Sequence, residues 1–136
     1  MNQAAPQSQP LFQGGPNIAL KLPPNVFDST FAFYRDILRL PPLAEYLPSH
    51  VFQFGANILW LDRVERLSQA EVWLEIVTSD IEAAKQHFAT QGITRCDEIE
   101  PLPSGFAGFW LLSPSSISLI ALQRQSLKRA SPDAGR

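Results

Sequence analysis

The chain has 136 residues, 45% of them hydrophobic and 10% aromatic, with eleven basic and thirteen acidic side chains for a formal net charge of -2. That is enough chain for one domain with its own core, and the charge balance lacks the basic face of a nucleic-acid binder. A single cysteine, Cys96, excludes an internal disulfide and suits a reducing compartment. No secretory leader and no apolar run long enough to span a membrane is read, so a cytoplasmic protein with no membrane partner is expected.

Residues 1–15 are rich in Gln, Pro, Ala and Gly without periodicity, and are expected to be a disordered tail. Residues 124–136 are expected to be a second flexible tail, leaving a folded region over 16–123. Asn17–Leu22 reads as a strand that Pro23 and Pro24 end. Phe27, Phe31, Tyr34 and Leu38 recur at helical spacing, with Asn25 or Asp28 as candidate caps and Pro41-Pro42 as the stop. His50–Phe54 and Asn57–Asp62 read as a hairpin turning at Gly55-Ala56.

The pattern then restarts. Val72–Val77 is a strand, and Ser79-Asp80-Ile81-Glu82 has the form of a capping box before a helix that runs to about Gln91, with Gly92 as its natural stop. Ile93–Glu98 reads as a short strand, and Phe106–Leu112 with Ile117–Leu122 as a closing hairpin around Ser113-Pro114-Ser115-Ser116. Glu45-Tyr46-Leu47-Pro48-Ser49 is echoed by Glu100-Pro101-Leu102-Pro103-Ser104 at a spacing of 55 residues. Asn17 and Trp73 on the two first strands stand 56 apart, so two copies of one unit are expected, 16–63 and 71–123.

Three segments carry a resemblance. Phe33-Tyr34-Arg35-Asp36-Ile37-Leu38, the strand-to-helix run Glu75–Ala84, and the closing segment Phe109–Leu122 together resemble the vicinal oxygen chelate superfamily of glyoxalases, bleomycin-resistance proteins and ring-cleaving dioxygenases. The resemblance implies an α+β fold in which two βαβββ modules pair around a curved mixed-sheet cup. Two departures stand out. Position 39 is Arg where the signature usually has Gly, and the last turn has Ser113 and Ser116 where Asp and Gly are usual.

In metal-dependent members of that superfamily the ligands come from the first and last strand of each module. Here those positions carry Asn17, Trp60, Trp73 and Ile120. A shift of two residues brings Ala19, Ile58, Glu75 and Leu122, with one good ligand among them. His50 and His87, the two histidines, are not expected to converge, whereas a metal site needs several convergent donors. No metal, no cofactor and no metal-dependent catalysis are therefore expected.

Strand alternation places Asn17 and Lys21 on one face, with Ile58, Trp60 and Asp62, then Trp73 and Glu75, then Ile120, as the expected lining of the cup. Mostly apolar walls with a few polar groups describe an organic-ligand pocket, although two tryptophans can equally fill such a space as core. The function this supports is metal-free binding of a small aromatic or amphipathic molecule, with Trp60 and Trp73 stacking on it and Glu75 and Asp62 favouring a cationic group. The alternatives are a divergent lyase, isomerase or dioxygenase, and a dimerising or regulatory module with a filled cup. A homodimer is expected, as is common among resistance-type relatives, and no catalytic residue is assigned.

Overall fold

The computed structural model describes residues 10–123. The segments 1–9 and 124–136, part of the expected tails, lie outside the described residues. The chain divides into two compact units: Pro16–Leu74 forms one, and Glu75 onward, together with the chain up to Gly15, forms the other. Both strands β1 (Phe12–Leu22) and β4 (Glu71–Thr78) contribute residues to both units.

The unit Pro16–Leu74 contains most of β1, helix α1 (Pro24–Ala32), a π-helical turn over Phe33–Ile37, and the hairpin β2 (His50–Phe54) and β3 (Asn57–Arg63). Its strand order is β2-β3-β1. β1 runs parallel to β3, with Asn17 opposite Ile58, Ala19 opposite Trp60 and Lys21 opposite Asp62, and β2 is antiparallel to β3. The two-residue turn at Gly55-Ala56, with Gly55 at φ 62°, closes the hairpin as expected from sequence. Leu22, Leu59, Leu61 and Phe52 on one sheet face pack with Phe27 of α1, joined by Ile18, Leu20, Phe31 and Tyr34. Burying these side chains, each worth roughly 1.5–3 kcal/mol when fully removed from water, fixes which face of β1 and β3 meets the helix. The alternate residues are thereby turned to the other face.

The second unit holds α2 (Ile81–Thr90), β5 (Gly108–Leu112) and β6 (Ile117–Leu122), in the order β4-β6-β5. Its core is Ala84, Phe109, Leu111 and Ile120, with Phe12, Ile76, Ile81, Phe88 and Ile93 packed on it.

Several local expectations are corrected. β1 begins at Phe12, so residues 12–15, expected in a tail, are strand. Their anchors are the Phe12 ring against Phe88 at 5.2 Å and the Ser79 N–H donating to Leu11 O. α1 takes neither Asn25 nor Asp28 as its cap: it starts at Pro23, with Pro24 in the first turn, where a missing N–H costs nothing. The cap of α2 is Asp80 and not Ser79, because the Ser79 hydroxyl accepts from the Leu11 N–H and leaves the Asp80 carboxylate to accept from Ala83 N–H at 3.0 Å.

The expected strand Ile93–Glu98 is reduced to one bridge, Arg95 with Leu111. The Asp97 carboxylate accepts the Trp110 N–H that a longer ladder would use, and the chain winds into a 3-10 turn over Asp97–Ile99. The first unit repeats the device: a bridge from Pro42 to Phe52, then a 3-10 turn over Ala44–Tyr46. Both features recur 53 residues later. The Leu-Pro-Ser echo, at 55, therefore sits two residues out of the structural register.

Candidate functional site

Within Pro16–Leu74 the face turned away from α1 carries Asn17, Ala19 and Lys21 on β1 and Ile58, Trp60 and Asp62 on β3. The parallel register brings the side chains together in rows. In one row Asn17 stands opposite Ile58; in the next Ala19 stands opposite Trp60; in the third Lys21 stands opposite Asp62. One bond across rows and one within a row tie them. The Trp60 indole N–H donates to Asn17 Oδ1 at 2.8 Å, and the Lys21 ammonium donates to Asp62 Oδ2 at 2.8 Å. Ile58 is buried and Asn17 is half-buried, so that end of the face is closed by packing.

The two tryptophans expected to line the site differ. Trp73 is buried, its N–H donates to Glu71 Oε1 at 2.9 Å, and Lys21 Nζ sits 4.2 Å from its ring centre. That ring face is occupied by a cation, an arrangement worth more when desolvated than at an exposed surface. Trp60 is only half-buried. Its ring lies 4.9 Å from that of Tyr46, on the 3-10 turn that leads into β2. Tyr46 was not singled out in the sequence. It lies in a loop segment with no periodicity, and its neighbourhood to Trp60 depends on the Pro42 to Phe52 bridge, which no local pattern announces.

Asp62 is a strand residue, as expected from sequence. It is 30% exposed while Lys21 is 3% exposed, so the carboxylate faces outward with the ammonium beneath it. Its charge is already matched by Lys21, which removes the basis for selecting a cationic ligand by Asp62 alone.

Glu75 and Ile120 belong to the other unit. Ile76 packs into the core under α2, so Glu75 takes the opposite face of β4. It is buried against Gly15, where an added Cβ would stand 2.4 Å from Glu75 Oε1 and 2.8 Å from its Cγ. Ile120 is corrected: it is fully buried under α2 with Ala84 and Phe109. It sits opposite Phe109 in the hairpin, and Phe109 packs on Phe88 of α2. The closing strand is thus turned by one residue from the expected alternation, and Leu119 and Ala121 take the face assigned to Ile120.

Among the described residues no three His, Cys, Asp or Glu side chains group so as to hold a metal ion. Asn17 Oδ1, at a position the resemblance marks for a ligand, is engaged by an indole N–H. This donor set does not match the several N and O donors that a transition-metal site converges. Burial, then the neighbouring Asp97 and Glu98 carboxylates, push the Cys96 thiol above its ordinary range, the opposite of what activates a nucleophilic cysteine.

No family model and no curated protein matches the chain, so the comparison rests on solved structures. The chain is similar to a Mn(II)-bound glyoxalase from Novosphingobium aromaticivorans, with 16% identity and a TM-score of 0.55 over 80% of this chain and 38% of that one. It is similar to methylmalonyl-CoA epimerase from Mycobacterium tuberculosis, with 11% identity and a TM-score of 0.54 over 80% and 87% of the two chains. It is also similar to a glyoxalase/bleomycin resistance protein/dioxygenase superfamily member from Vibrio splendidus, with 14% identity and a TM-score of 0.53 over 78% and 97%. The chain therefore spans well under half of the glyoxalase but nearly all of the Vibrio protein. With its mixed strand pairing and the repeated strand-helix-bridge-hairpin order among the described residues, the chain has the α+β glyoxalase/bleomycin resistance/dioxygenase fold.

Proposed function

We propose that the chain binds a small aromatic or amphipathic molecule, without a metal ion, on the β1–β3 face that carries Trp60. The observation that carries this reading is Trp60 itself. It is held by Asn17, flanked by Tyr46, and left half-exposed on a face otherwise closed by Ile58 and the Lys21–Trp73 contact. A fixed aromatic ring with an open side offers large contact area at little entropic cost. The solved structures of similar fold include a methylmalonyl-CoA epimerase and a Mn(II)-bound glyoxalase by name, which supports a small organic ligand and leaves the manganese to the glyoxalase. Trp73 and Ile120 carry no stacking role in this proposal.

Titration of intrinsic fluorescence with a panel of aromatic compounds tests it. At least one compound should quench or shift the emission of the native protein and fail to do so in Trp60→Phe. A stoichiometric transition metal in the purified protein, or a panel with no responder, would contradict the reading and favour a divergent metal enzyme or a filled module. The proposal includes a homodimer. The exposed Phe33, Ile37 and Phe54 offer the apolar surface one needs, and sedimentation at two concentrations reports it.

A further inference from the structure

The floor beside Trp60 is low. Ala19 stands between Asn17 and Lys21 on β1 and opposite Trp60 on β3, and it is the one side chain of that face too short to reach past its own strand. It is only half-buried, as Trp60 is. Ala19 and Trp60 thus stand side by side on one face, each with part of its surface accessible. Asp62 follows two residues along β3, on the same face, about 7 Å from Trp60 at the usual strand rise.

Asp62 Oδ2 accepts from Lys21, and Oδ1 accepts no hydrogen bond among the described residues. The carboxylate is partly exposed and the ammonium is covered. An anion would meet the carboxylate first. A cation would gain little Coulomb energy from a carboxylate already compensated at 2.8 Å and would approach a second positive charge. A neutral hydroxyl or amide N–H meets neither penalty, and its hydrogen bond to Oδ1 is charge-assisted.

Resting on the binding function proposed above, we infer that the ligand is a neutral molecule with an aromatic ring and a hydroxyl or amide donor about 7 Å away. The ring lies over Ala19 against Trp60, and the donor reaches Asp62 Oδ1. Ala19 sets the size of the ring subsite, and the Lys21–Asp62 pair selects against charge.

Three probes share a phenyl ring and a three-carbon reach: 3-phenylpropanol, 3-phenylpropylamine and 3-phenylpropionate. Titrations followed by the indole N–H resonances should show 3-phenylpropanol binding about tenfold more tightly than either charged probe, the scale of a hydrogen bond to a charged group. In Lys21→Met/Asp62→Leu, which removes both charges together, that preference should vanish. In Ala19→Leu all three probes should lose binding at least about tenfold, the scale of a filled packing site. Equal affinity for the three probes, or tighter binding of the amine, overturns this inference and leaves the ring-binding function standing. Binding unchanged by Ala19→Leu overturns the placement over Ala19. No response to any aromatic probe overturns both.

Discussion

Arg39 has a backbone φ of 57°, and among the described residues it is the one non-glycine in the left-handed region. It follows the π-helical turn, in which the Leu38 N–H donates to Phe33 O, and the chain must reverse there to reach Pro41. The superfamily signature has glycine at this place, and the geometry explains why: an L side chain costs roughly 1–2 kcal/mol in that conformation. Glycine in turn costs up to about 1 kcal/mol in unfolded-state entropy. Arg39→Gly is therefore expected to raise stability by about 1 kcal/mol, read as a shift in the denaturation midpoint with an unchanged slope. The final turn departs at a different cost, since the buried Ser116 Oγ has no hydrogen-bond partner among the described residues. The Ser113 hydroxyl accepts the Ser116 N–H, as a turn aspartate does, and Ser116 has no positive φ that would demand glycine.

Lys21 and Asp62 give a second test at this scale. Removing the carboxylate alone weakens the compensation of a buried ammonium, whereas an apolar isostere of the lysine removes the charge that needs it. Asp62→Ala should cost about 2 kcal/mol, and Lys21→Met should cost less, both by thermal unfolding. The reverse order would show that Lys21 contributes chiefly through its position over Trp73.

The helices and strands were legible wherever their signal was local. The Phe27-Phe31-Tyr34 stripe, the Gly55-Ala56 turn and the Gly92 stop, at φ 75°, all stand where periodicity and turn chemistry placed them. Boundaries set by distant partners were not. Ser79 is a fine cap in sequence, but β1 takes its hydroxyl, so Asp80→Ala should destabilise by about 1 kcal/mol while Ser79→Ala leaves the α2 cap intact. The difference is measurable in the same unfolding assay with both variants. The candidate site was legible to the same degree. Asn17 and Lys21 share a face, as do Ile58, Trp60 and Asp62, because alternation along a strand is a local rule, and the parallel β1–β3 register joins the two sets. Ile120 was misplaced because β6 offers apolar residues at successive positions, and only the pairing with Phe109 under α2 chooses between them. Tyr46 was missed because a loop residue has no period.

At the scale of the whole molecule, the fold is shared with solved structures at 11–16% identity. At that level almost no functional side chain need be held in common, and fold alone does not carry function. Function resides in the side chains of this chain, and the half-exposed ring among them on the β1–β3 face is Trp60. Three tryptophan indoles make the claim directly testable, because each N–H has its own partner: Asn17 for Trp60, Glu71 for Trp73 and the Glu100 carbonyl for Trp110. The decisive measurement is a 15N–1H correlation spectrum of the indole N–H groups, assigned by Trp→Phe variants, recorded during titration with 3-phenylpropanol. The expected result is a saturable shift of the Trp60 resonance with the Trp110 resonance unmoved. A stationary Trp60 resonance while Trp110 shifts would contradict it.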